Sequence, residues 1–183
     1  NNNYWHWLYD VLPKFALCNK FLDLSKVDFF LLPDHEKKFQ KETLDCLNIP
    51  PHKRISSKKF RHIKARELII TDHPVVITGN ATRDIINIPD WIILWLKNSF
   101  LSSKKSQNNK NKIYIDRNDE NSNYPLQRSI SNELEIKKYL SGKNFIFAKL
   151  HKMKFEEQVD LFNNAECVVG LHGGGFGNIS FCK

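Results

Sequence analysis

The sequence predicts a mixed α/β protein built on parallel, Rossmann-like sheets, and three observations carry that prediction. Apolar strands and amphipathic helices alternate from Lys112 onward, a wholly polar tract sets that half apart from the first, and a glycine-rich turn follows directly on the last strand. With 183 residues, 41% of them apolar and 26% charged, the chain can bury a core and does not have a disordered composition.

In the first half, His6 to Cys18 has the apolar spacing of an amphipathic helix, interrupted or ended near Pro13. Val27 to Leu32 reads as an apolar strand, Glu36 to Leu47 as a charged helix, and Glu67 to Thr71 as a further strand. Asp90 can cap a helix reaching Phe100, with Trp91, Ile92, Leu94, Trp95 and Leu96 supplying a wide apolar face. Ser102 to Lys112 contains no hydrophobic residue, which divides the chain into residues 1–102, a linker at 103–111 and residues 112–183.

Beyond the linker, Lys112 to Asp116 is a short buried strand, Ser131 to Leu140 a helix and Asn144 to Leu150 a second strand. Phe155 to Asn163 is a second helix and Glu166 to Gly170 a third strand. Connections of this kind are right-handed, so the strand ends should line up along one edge of the sheet.

That edge collects chemistry. Val168 to Asn178 reads Val-Val-Gly-Leu-His-Gly-Gly-Gly-Phe-Gly-Asn, a turn whose glycines let the backbone approach a ligand and whose following helix start would attract phosphate. The same glycines could serve turn geometry alone. His172 adds a donor where open α/β sheets place ligands. Arg117 follows the first strand, and Arg128 with Asn132 and Glu133 precedes or opens the next helix. Arginine holds two phosphate oxygens through its planar fork, although Arg128 and Glu133 could instead pair with each other.

At the other end, His6 and Asp10 lie four residues apart, on one helical face. They form either a general base or a buried histidine satisfied by a carboxylate. Tyr4, Trp5, Trp7 and Tyr9 around them are core residues for the most part, with one available to stack on a sugar ring. Two ligands are too few for a metal site. Cys18, Cys46, Cys167 and Cys182 show no metal or redox spacing and read as free thiols of a reducing compartment.

The net charge of +8 is local: His52 to Arg66 carries Lys53, Arg54, Lys58, Lys59, Arg61, Lys64 and Arg66 without an acid, and elsewhere the charges nearly balance. Such a stretch can meet an anionic acceptor or a membrane surface, or be a solvated loop, while no nucleic-acid motif accompanies it. No apolar run is long enough to span a bilayer and the first residues lack a signal-peptide pattern. The first residue is not Met and the chain stops just after the glycine turn, so the sequence reads as a fragment of a domain. Its Asn- and Lys-rich composition points to an AT-rich genome, and with no export signal a bacterial, cytoplasmic location is expected, with peripheral membrane association open through the basic stretch.

Taken together, the motifs resemble glycosyltransferase family 61. Asn3-Tyr4-Trp5-His6-Trp7-Leu8-Tyr9-Asp10-Val11-Leu12-Pro13 is similar to that family's Asn-Tyr-x-His-x-x-x-Asp-x-Leu-Pro block. Arg128 to Glu135 resembles its Arg-x-Ile-x-Asn-Glu-x-Glu block, and His172 to Asn178 its His-Gly-Ala-Gly-Leu-x-Asn block, with Glu157-Gln158 and Ala165 in register between them. Lys14, Gly174, Phe176 and Gly177 depart from the pattern. The resemblance implies an α/β, GT-B-like architecture of two Rossmann-like domains, an acceptor-side domain at 1–102 and a donor-side domain at 112–183, both incomplete. It also implies inverting transfer of a hexosyl or pentosyl unit from a nucleotide sugar, UDP-linked, to a glycan or polysaccharide, with no cofactor or metal.

On that resemblance His6 or Asp10 supplies the base. Arg117, Arg128, His172 and the backbone of Gly173, Gly174 and Gly175 stabilise the leaving diphosphate, and Asn132, Glu133 and Asn178 also belong to the donor site. A noncatalytic nucleotide- or glycan-binding module of the same fold is the rival reading. A dinucleotide-dependent oxidoreductase is disfavoured, because Gly173-Gly174-Gly175-x-Gly177 is not the Gly-x-Gly-x-x-Gly spacing.

Overall fold

Pro13 has no N–H to offer the carbonyl one turn back, and the helix approaching it widens instead of continuing in register. In the computed structural model, which describes residues 3–101, 110–117 and 130–183, α1 covers only Tyr4–His6. A π turn follows over Trp7–Val11, closed by the Leu12 N–H donating to the Trp7 carbonyl at 3.0 Å. Pro13 then opens α2 (Pro13–Asn19) in the first turn, where a missing N–H costs nothing. The single interrupted helix expected from His6 to Cys18 is therefore two short helices with a π turn between them, a form that often marks functional sites.

The chain divides into two compact units, Asn1–Phe100 and Leu101–Lys183. In the first, β1 (Phe30–Leu32) runs through α3 (Lys38–Cys46) to β2 (Arg54–Ser56), and the two strands pair in parallel with Leu31 opposite Ile55. Two helices follow, α4 (Ala81–Ile86) and α5 (Asp90–Phe100). Trp7, Leu8, Leu12, Leu44, Ile92 and Leu96 are fully buried. Trp7 is tied to α3 by its indole N–H, which donates to Thr43 Oγ1 at 2.8 Å. Thr43 in turn donates to the Phe39 carbonyl at 2.8 Å, so a buried polar pair fixes the π turn against α3.

One sequence expectation fails in this unit. No strand forms at residues 67–71, where Leu68, Ile69 and Ile70 stay exposed, because β-propensity without a partner strand makes no ladder. The basic run also hides β2. Arg54 donates to the Asp45 carboxylate and the Ile49 carbonyl, and Lys53 Nζ donates to the carbonyls of Ser25 (2.8 Å) and Val27 (2.6 Å). Both side chains are thus tied to the fold, Arg54 by an ion pair with Asp45 and Lys53 by backbone carbonyls.

The second unit has β3 (Asn111–Ile115), α6 (Glu133–Ser141), β4 (Phe145–Ala148), α7 (Phe155–Asn163) and β5 (Ala165–Gly170). Asn111 thus belongs to a strand, while 102–109 lie outside the described residues. The strands pair in parallel in the order β4-β3-β5, with Ile113 opposite both Ile146 and Val168. The crossover through α6 steps to one side of β3 and the crossover through α7 steps back past it. Right-handed connections of that kind put the two helices on opposite faces. Ile113, Tyr114, Ile115, Phe155, Val159, Phe162 and Phe181 form the core. Beyond the glycine turn the chain winds as a 3-10 helix over Gly174–Phe181.

The protein is therefore mixed α/β with parallel sheets, as expected. All four cysteines are free thiols, and no helix among the described residues is long and apolar enough to cross a membrane.

Candidate functional site

The order β4-β3-β5 means that the connection out of β3 and the one that returns past it to β5 run in opposite directions. Open α/β sheets take ligands at such a switch point, outside the carboxyl ends of the strands. Here the two ends are those of β3 and β5, and the residues just beyond them are Arg117 and His172. Arg117 Nη1 donates to the His172 carbonyl at 2.6 Å, which bridges the two strand ends. The guanidinium lies against Gly173: a Cβ there would stand 2.9 Å from Arg117 Cζ and nearer still to Nη1. Gly173 is extended, with φ of 165°, a backbone any residue adopts, so what its missing side chain provides is room for the guanidinium tip. Gly175 is bounded in the same way by Leu150, whose Cδ1 would be 2.8 Å from an added Cβ.

Beside this edge lies a partly buried charge cluster that the sequence reading missed. Lys137 Nζ stands 2.9 Å from Asp116 Oδ2 and 3.4 Å from Glu133 Oε1, and the Tyr114 hydroxyl donates to that same Glu133 oxygen at 3.0 Å. Burial and the neighbouring Glu133 and Asp116 carboxylates push the Tyr114 hydroxyl up to about 12. Burial lowers the Lys137 ammonium, but the hydrogen bonds and charges of Asp116 and Glu133 outweigh it, and the net shift is upward. The available signals were Asp116 at a strand end and Lys137 one helical turn from Glu133.

In the first unit, His6 Nδ1 and Asp10 Oδ2 are 2.6 Å apart across the π turn, with both side chains partly exposed. The other carboxylate oxygen, Oδ1, lies 4.0 Å from Nε2 of His73. The ring of His73 is held from behind, its Nδ1 being 2.8 Å from the Val75 carbonyl. No spacing in the sequence connects His73 with a carboxylate sixty-three positions earlier. Trp5 packs on Tyr9 at 4.2 Å between ring centres and remains half-buried, whereas Trp7 and Tyr9 are core. A cavity of about 470 Å³ in this unit is lined by residues including Phe15, Asn19, Asn48 and Trp95, with neither His6 nor Asp10 in its wall.

A family profile, Glycosyltransferase 61, matches residues 4–183, essentially the whole chain. The chain belongs to glycosyltransferase family 61. No curated protein and no solved structure gives a significant match.

Within this family 61 protein, the structure gathers some expected site residues and separates others. His6 and Asp10 meet, as do Arg117, His172 and Gly173, while Gly174 and Gly175 open the 3-10 helix. Arg128 lies outside the described residues. Asn132 donates from Nδ2 to Glu135 Oε2 at 3.3 Å, and Glu133 faces Tyr114 and Lys137. Asn178, expected among the donor contacts, is fully buried and donates from Nδ2 to Gln158 Oε1 at 2.9 Å. Gln158 donates to the Leu150 carbonyl at 2.9 Å, so Asn178 locks the glycine turn to α7 from inside the core.

Proposed function

We propose that this family 61 protein is an inverting glycosyltransferase of the GT-B type, moving a sugar from a nucleotide-sugar donor, UDP-linked, to a glycan or polysaccharide hydroxyl. In this reading the second unit binds the donor and the first supplies the base. The observation that carries it is Arg117 drawn against the His172–Gly173 backbone at the sheet's switch point. A fixed guanidinium beside a glycine turn suits a diphosphate, whose charge grows as the sugar–oxygen bond breaks. Arg128, the His172 ring and the N–H groups of Gly173 to Gly175 complete that set of donors.

His6 is the base in this account. Asp10 accepts from Nδ1–H, which fixes the tautomer and leaves Nε2 with its lone pair outward. Nε2 takes the proton of the acceptor hydroxyl as its oxygen attacks the anomeric carbon from the face opposite the diphosphate. The carbon–oxygen bond to the diphosphate breaks with its electron pair on the leaving group, and Asp10 stabilises the imidazolium. Trp5 offers the half-buried aromatic face against which an acceptor sugar can stack.

The test is thermal stabilisation by nucleoside diphosphates, with and without chelator. A ligand at one hundred times its Kd stabilises the native state by about 2.7 kcal/mol. UDP is expected to raise the melting temperature equally in the presence of chelator and to lose that effect in Arg117→Ala. A folded protein that responds to no nucleotide would favour a noncatalytic glycan-binding module.

A further inference from the structure

Every residue from Ser57 to Ile70 is exposed, and the segment combines two features that solvent alone does not explain. Lys58, Lys59, Arg61, Lys64 and Arg66 give it five cations against one acid, Glu67. Phe60, Ile63, Leu68, Ile69 and Ile70 give it an apolar content that the fold leaves in water, with Leu68 at 69% and Ile70 at 79% exposure. Exposed apolar residues interspersed with cations along one stretch are the pattern of a surface that inserts shallowly among anionic headgroups.

We propose that Ser57–Ile70 docks this protein onto an anionic phospholipid surface, its cations meeting headgroup phosphates while Phe60, Ile63 and Leu68 to Ile70 enter the interface. The structure narrows the exposed cations of the basic stretch to five. Lys53 and Arg54 are bound to carbonyls and to Asp45 inside the unit, and of the remaining cations Lys58 has an acid within ion-pair range, Asp34 at 3.7 Å. A nucleic acid or an acidic glycan would be met by the charges alone and gives five aliphatic and aromatic side chains nothing to do, whereas a bilayer uses both sets. The proposal does not depend on the transferase reading.

Vesicle co-sedimentation of the full chain tests it, comparing phosphatidylcholine alone with phosphatidylcholine containing phosphatidylglycerol. Binding is expected to the anionic vesicles only, to weaken at high salt, and to fall at least tenfold both in Lys59→Glu/Arg61→Glu/Lys64→Glu and in Leu68→Ser/Ile70→Ser. Each variant should melt as the parent does, since every altered side chain is exposed. Three results would overturn the proposal: no sedimentation of the folded parent, equal binding to neutral vesicles, or binding that the serine variant leaves intact. The last would make the surface a general polyanion site, which retention on dextran sulfate by the serine variant would identify.

Discussion

Nε2 of His73 stands 4.0 Å from Oδ1 of Asp10, the carboxylate oxygen that His6 does not use. At that distance the contact is electrostatic and not a hydrogen bond. Asp10 thus lies between two imidazoles, one bound directly and one within electrostatic range.

If His6 is the base and Asp10 its anchor, Asp10→Asn should cut turnover by about 10²- to 10⁴-fold while donor binding persists. His6→Gln should cut it at least as far. His73→Ala, acting on the carboxylate from outside hydrogen-bond range, should cost roughly tenfold, on the order of 1.4 kcal/mol of barrier. Steady-state kinetics alongside nucleotide calorimetry checks the series, and unchanged turnover in Asp10→Asn would remove the dyad from the mechanism.

Gly173→Ala isolates the close approach of Arg117. The backbone is already extended and accepts alanine, so the new methyl acts only by pushing the guanidinium away. The variant should fold and should lose the melting shift with UDP as fully as Arg117→Ala does. A normal shift would mean that Arg117 reaches the nucleotide from elsewhere or not at all.

Asn178→Ala should behave differently. It strips the buried Gln158 amide oxygen of its donor, which costs about 1–3 kcal/mol. Urea unfolding should register that loss directly. A variant of unaltered stability that no longer binds nucleotide would instead return Asn178 to the donor contacts.

The charge cluster beside β3 predicts a loss of stability in alkali. Tyrosine in the unfolded chain ionises near 10, whereas buried Tyr114 holds its proton to about 12. Below the lower value both states keep the proton and the contribution is complete. Between the two only the unfolded chain releases it, so stability falls as pH rises, by at most about 1.4 kcal/mol per pH unit. The raised Lys137 ammonium acts in the same direction. Denaturant unfolding across that range should show the decline, and Tyr114→Phe should flatten most of it.

Much of this molecule is written in local pattern. The helix at Phe155–Asn163 and the strands around Ile113, Phe145 and Val168 follow from apolar periodicity, because each buries one face or both against neighbours close in sequence. The order of the family's motifs along the chain likewise marks the family from sequence. The His6–Asp10 pair was legible for the same reason, since one turn of helix brings both residues to one face.

What the sequence by itself determined was the class of structure, the family and the residue types at the sheet edge. Only the tertiary structure decided which of those residues meet. Strand order, a long-range property, set Arg117 beside His172, and no local period encodes it. Burial sent Asn178 and Glu133 to internal partners, because a polar group withdrawn from water must find its hydrogen bonds within the fold. The absence of a neighbouring strand left Leu68 to Ile70 in solvent despite their strong β-propensity, and chain folding over sixty-three positions brought His73 to Asp10. In each case the deciding energy belongs to a contact between distant segments, which a reading of one segment at a time does not contain.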